Sequence, residues 1–109
     1  MEKFDELFIK LEGLNIIQTR MDWGENIPYE LWNEYFKDNF KEIAYNLYVS
    51  THRWYETSIM VIEIYDRLLG ISLVSNVFSE SMDIEDCYHH LAFMKMAPAQ
   101  SITYKKLKL

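Results

Sequence analysis

Near the start of the chain, Phe4, Leu7, Phe8 and Leu11 recur at i, i+3, i+4 and i+7, the spacing of one apolar helix face. Gly13 stands where such a helix would stop, so the pattern predicts a first helix over about residues 2–12. The stretch Asp22-Trp23-Gly24-Glu25-Asn26 reads as a turn. Pro28 suits the first position of a second helix, because its missing N–H would be unbonded there anyway. Trp32, Tyr35, Phe36 and Phe40 supply the apolar face of that helix. The same spacing would continue through Ile43, Ala44 and Leu47, and the end is placed near residue 39.

Beyond Ile43 the period changes. Tyr45, Leu47 and Val49 alternate with Asn46, Tyr48 and Ser50, as expected of a half-buried strand. A loop around Thr51 to Arg53 follows, and then two apolar runs, Tyr55 to Tyr65 and Leu68 to Val74, split by Asp66-Arg67. This reads as a hairpin whose turn type is open, since neither Asp nor Arg demands a positive φ. A short helix is predicted to begin near Asp83, whose side chain can cap free N–H groups, with Glu85 and Asp86 toward the positive end of its dipole. Leu91 to Met96 and Ile102 to Leu107 read as one or two closing strands around Pro98.

These elements define an α+β fold class: a small antiparallel sheet of three to five strands, with two N-terminal helices and a short helix near residues 83–90 packed on one face. Residues 1–109 are read as a single domain. Burying Ile59, Val61, Leu69, Ile71 and Leu73 against Phe8, Trp32 and Phe36 would contribute on the order of 1.5–3 kcal/mol per side chain. With 50% of its 109 residues hydrophobic and 16% aromatic, the chain can fill such a core. Most of the aromatic residues therefore need no functional explanation.

Charge changes the picture because it is laid out in blocks. Residues 1–40 carry nine acids and four bases, residues 41–77 four and three, and residues 78–92 four and none. From Phe93 onward there are four lysines and no acid, and the whole chain has a net charge of −6. An acidic field repels nucleic acid and speeds encounter with basic surfaces. A single cysteine, Cys87, cannot form an intramolecular disulfide, which points to a cytoplasmic protein. The charged, amphipathic N-terminus is unlike a signal peptide, and no apolar stretch approaches the roughly 20 residues of a membrane span.

Residues able to do chemistry are present but lack a pattern. Within Cys87-Tyr88-His89-His90, Cys87 and His90 could share a helix face, yet a tetrahedral zinc site would need further ligands and only His52 remains among the histidines. Asp22 with Glu25, or Glu80 with Asp83, could be imagined as an acid–base pair, but their spacing is that of a solvated surface. Gly13, Gly24 and Gly70 stand alone and form no phosphate loop. No enzyme activity, metal or cofactor is expected. Basic residues interleave with aromatics only at His52-Arg53-Trp54-Tyr55 and in the tail Tyr104-Lys105-Lys106-Leu107-Lys108, where lysines suit the guarding of an edge strand, so direct nucleic-acid binding is not expected either.

What remains is a surface for a protein partner. Ser79 to Asp86 carries Glu80, Asp83, Glu85 and Asp86 with Met82 and Ile84 between them, a segment suited to a basic groove. A second acidic patch spans Asp22 to Glu34, with Asp22 and Glu25 beside Trp23 and Trp32. Trp54 and Tyr55, flanked by Arg53 and Glu56, are the best candidates for an exposed anchor, because Trp and Tyr often dominate interface energy.

In profile, a short acidic and aromatic-rich single domain without an active-site signature resembles the small proteins of phages and mobile elements, especially anti-CRISPR inhibitors of RNA-guided nucleases. Trp54-Tyr55-Glu56-Thr57, and Ser79-Glu80-Ser81-Met82 with Glu85-Asp86-Cys87-Tyr88, are similar to stretches of phage proteins. The resemblance is carried by profile and not by a motif. It implies a non-enzymatic inhibitor in the host cytoplasm, whose acids occupy the basic DNA- or guide-binding groove of a CRISPR-associated nuclease by imitating phosphate. The alternative is a structural or assembly protein that forms a homodimer through a sheet edge or an aromatic patch.

Overall fold

The apolar stripe at the N-terminus forms helix α1, Lys3–Glu12, and buries Phe4, Leu7 and Leu11. Asp5 and Glu6 lie in its first turn and Lys10 in its last, each favourable to the helix dipole. The helix ends at Gly13, whose N–H donates to the Ile9 carbonyl at 3.2 Å. A computed structural model describes residues 1–78, 84–87 and 89–97 of the chain.

The second helix is shorter than its apolar spacing predicts and changes type along its length. Pro28 precedes it with extended backbone, one residue earlier than expected, and a single turn α2, Tyr29–Leu31, passes into a π-helical turn, Trp32–Phe36. The Lys37 N–H donates to the Trp32 carbonyl at 2.9 Å, the i→i+5 bond of such a turn. The widened turn brings the consecutive residues Tyr35 and Phe36 into the core together, and both are fully buried. Asp38, with φ 61°, then reverses the chain into the sheet, so Phe40 belongs to a strand and not to the helix.

Among the described residues, four antiparallel strands follow as a meander in the order β1-β2-β3-β4: β1 Phe40–Thr51, β2 Tyr55–Ile64, β3 Arg67–Val77 and β4 Ala92–Met96. The β2–β3 turn is Tyr65–Asp66, one residue earlier than the polar pair suggests. Both residues have positive φ, 51° and 62°, the type I′ geometry that matches the twist of a two-residue hairpin. A 3-10 turn, Ile84–Cys87, lies where a short helix is predicted. Asp83 and the predicted strand at Ile102 to Leu107 lie outside the described residues.

On the inner face Met60, Ile62 and Ile64 of β2, and Leu69, Ile71 and Leu73 of β3, meet Phe4, Leu7, Leu11, Tyr35 and Phe36. Ile59 and Val61, expected in this core, alternate to the opposite face. There Val61 pairs with Gly70, and a Cβ on Gly70 would come within 2.8 Å of the Met94 side chain and 2.9 Å of that of Met96. The two methionines thus fill the space that glycine leaves beside Val61.

β1 does not keep the alternation that its sequence suggests. Its register on β2 shifts three times, between Glu42 and Ala44, Ala44 and Leu47, and Leu47 and Ser50. Only Phe40, Ala44 and Leu47 are half-buried along its length, while Tyr45 and Val49 are exposed. Asn46 and Tyr48 take positive φ, 54° and 52°. Such bulges bend an edge strand and re-aim its side chains.

Candidate functional site

The loop between α1 and α2 is built around one amide. Asn26 Oδ1 accepts from the Thr19 N–H at 2.7 Å, the Thr19 hydroxyl at 3.2 Å and the Arg20 N–H at 3.1 Å, while its Nδ2 donates to the Arg20 and Asp22 carbonyls at 2.9 and 3.2 Å. Asp22 Oδ1 accepts from the Gly24 N–H at 3.1 Å and caps the 3-10 turn Trp23–Asn26. Trp23 enters the interior, with its ring centroid 5.6 Å from those of Trp32 and Phe36 and 5.4 Å from that of Phe40. Gly24 is required by close approach, because a Cβ there would lie 2.9 Å from the Trp32 ring.

Around this loop lies an open groove of about 510 Å³ whose lining includes Arg20, Asp22, Glu25, Tyr29 and Trp32. Asp22 and Glu25 are both exposed, as the sequence reading expects, and the structure brings them together with Trp32. Glu25 pairs with Arg20 at 3.7 Å, a solvated contact worth at most about 1 kcal/mol. Tyr29, not singled out from sequence, is 79% exposed at the rim. Its signal was positional: an aromatic in a first helical turn, directly after Pro28, outside the apolar stripe. Trp23 corrects the sequence reading, since it is buried and supports the groove from beneath.

Trp54 and Tyr55 stand apart from this groove, at the β1–β2 turn, and do not line it. The His52 N–H donates to the Tyr55 carbonyl at 2.8 Å and closes that turn. Trp54 is 43% exposed, with the Arg53 guanidinium 4.7 Å from its ring centroid, whereas Tyr55 is half-buried and stacks on His52 at 4.5 Å. Glu80 and Asp83 lie outside the described residues, as do the side chains of Glu85 and Asp86.

Cys87 is half-buried, His90 exposed, and burial holds the His89 imidazole below its ordinary value. No cluster of three or more His, Cys, Asp or Glu side chains able to hold a metal occurs among the described residues. Elsewhere the Lys10 ammonium is held above its ordinary value, first by Tyr35 and then by Glu34. The Tyr45 hydroxyl is pushed up by its hydrogen bond to Glu42. No helix among the described residues is long and apolar enough to cross a membrane.

The fold and groove define an α+β chain that presents carboxylates and aromatics on one open surface. Comparison with protein-family models, curated proteins and solved structures finds no match.

Proposed function

We propose that this protein is a non-enzymatic binding module that inhibits a nucleic-acid enzyme by placing an acidic, aromatic-bearing surface in its basic groove. The observation that carries this reading is the charge of segment 20–40, which holds Asp22, Glu25, Glu30, Glu34 and Asp38 but only two bases, Arg20 and Lys37, and all five acids are exposed. Two of the five have a cation within ion-pair distance among the described residues, Glu25 with Arg20 and Glu34 with Lys10. Asp22, Glu30 and Asp38 have no such cation among the described residues, and Asp22 lines the groove with Tyr29 and Trp32. Such a surface supplies electrostatic steering together with an aromatic anchor.

Given the resemblance of the chain to anti-CRISPR proteins, an RNA-guided nuclease in the host cytoplasm is the partner class to try first. The test is displacement of labelled DNA from the guide-loaded nuclease by the purified protein. The reading expects stoichiometric displacement that weakens as salt rises. Unchanged DNA binding across a panel of basic nucleic-acid enzymes would contradict it.

A second reading, self-association as a structural or assembly protein, draws on the exposed Ile43, Tyr45, Tyr48 and Val49 of β1. The three bulges of that strand work against pairing by its edge, which favours the aromatic patch over the β1 edge for a homodimer. It predicts a size that depends on protein concentration and tolerates salt.

A further inference from the structure

The helices pack on the inner sheet face through Phe4, Leu7, Leu11, Tyr35 and Phe36. Where β1 bulges, a cleft of about 350 Å³ opens between residues Met21 and Trp23 of the loop and strands β1 to β3. Its apolar wall includes Met21, Met60 and Leu73. Its polar groups include Glu42 and Tyr45 on β1 and Ser58 on β2. Ser58 is only 3% exposed, and its hydroxyl makes no hydrogen bond to another described residue. Lining an open cleft, that hydroxyl is available to a ligand.

We propose that this cleft is a receptor for one arginine side chain of the protein partner. It deepens the binding reading above and rests on it for the source of the arginine. The charge and the donor count both favour that residue. The Tyr45 hydroxyl donates to Glu42 Oε1, which commits its proton and leaves its oxygen free to accept. Glu42, Tyr45 and Ser58 therefore offer acceptors from two neighbouring strands lining the cleft. A guanidinium brings five N–H donors in a planar fork, whereas a lysine ammonium brings three on a point charge. The aliphatic stem of arginine lies against Met21, Met60 and Leu73, the apolar contact that long cationic side chains commonly make.

The test needs no partner. Methyl-labelled methionine spectra are followed while N-acetyl-arginine methylamide is added, with the lysine and citrulline counterparts as controls. The proposal expects saturable shifts of the Met21 and Met60 methyls with the arginine probe. It expects weaker binding of the lysine probe and none of neutral citrulline. Glu42→Gln, on an exposed residue, should keep the fold and weaken arginine binding about tenfold. An absent or unsaturable response, equal binding of citrulline or lysine, or an unaffected Glu42→Gln variant overturns the inference. Such a failure leaves the salt-dependent binding of the whole protein untouched, and arginine binding without partner binding would instead overturn the wider reading.

Discussion

The side-chain amide of Gln18 pairs with both backbone polar groups of Val74. Gln18 Oε1 accepts from the Val74 N–H at 2.7 Å, and its Nε2 donates to the Val74 carbonyl at 3.1 Å. β4 ends its pairing on β3 at Ala92 opposite Ser72, so Val74 lies just past the point where that strand stops. Gln18 takes the place of the missing strand, and the segment carrying it is held by bonds from the Gln18 N–H to the His89 carbonyl and from the Leu91 N–H to the Ile16 carbonyl, both at 2.9 Å.

Gln18→Leu removes both partners of Val74 while keeping a similar volume. Each buried group left unsatisfied costs about 1–3 kcal/mol, so the variant should lose about 2–6 kcal/mol in urea denaturation at unchanged slope. A loss below about 0.5 kcal/mol would mean that water replaces the amide without penalty.

Gly24→Ala probes the floor of the groove. The added methyl cannot fit beside Trp32 unless the ring moves, and overpacking of this kind costs about 1–3 kcal/mol. The expected result is a lower melting temperature together with altered tryptophan fluorescence. An unchanged emission spectrum with an unchanged melting point would show that Trp32 is not held where the structure puts it.

Tyr48 is a bulky residue in left-handed backbone at an exposed position of β1, a conformation that favours glycine or asparagine. Nothing in the packing rewards tyrosine there, since the residue is 64% exposed. Tyr48→Gly should raise stability, by up to about 1 kcal/mol, because glycine adopts that backbone without strain. If Tyr48 serves a partner surface, the same variant should weaken binding. A stability gain with unaltered binding would remove Tyr48 from that surface.

Burial is the main cause that holds His89 below its ordinary value of 6.5, and the charges of His90 and His52 act in the same direction, against a backbone hydrogen bond with Ser72. Its Nε2 is buried without a hydrogen-bond partner among the described residues. In the unfolded chain the imidazole takes up its proton at higher pH than in the folded one. The stabilisation is therefore complete above about pH 6.5 and is lost as the pH falls through the folded value. His89→Gln should flatten the fall in stability between about pH 7.5 and pH 5.5 relative to the native chain. Parallel curves for the two proteins would show that His89 does not contribute to it.

How far the sequence could be read depended on whether local chemistry or tertiary context decided each element. α1 follows from Phe4, Leu7 and Leu11 at helical spacing, and the β2–β3 hairpin from two apolar runs around a polar break. β1 misled because alternation at Tyr45, Leu47 and Val49 says nothing of three extra residues, which are absorbed only when the strand pairs with the shorter β2. The π-helical turn was equally hidden, since Trp32, Phe36 and Phe40 keep a spacing of four that an unbroken helix would also give. Asp22, Glu25 and Trp32, grouped from the sequence as one patch with Trp23, line one groove, whereas Trp23 is buried. Gln18 and Ser58 carried no signal, because a polar residue is recognised as buried only once its partners or its cleft are known.

In the proposed function, the acidic face around the groove lined by Asp22 and Glu25 binds a basic surface. The most direct measurement is the affinity of the native protein and of the Glu25→Lys, Glu30→Lys double variant for a basic nucleic-acid enzyme that the native protein displaces from DNA, each taken at low and high salt. Both carboxylates are exposed and neither caps a helix, so the variant should fold as the native chain does. Tight, salt-sensitive binding by the native protein, lost in the variant, is the result predicted. Equal affinity for both proteins, unaffected by salt, would contradict it.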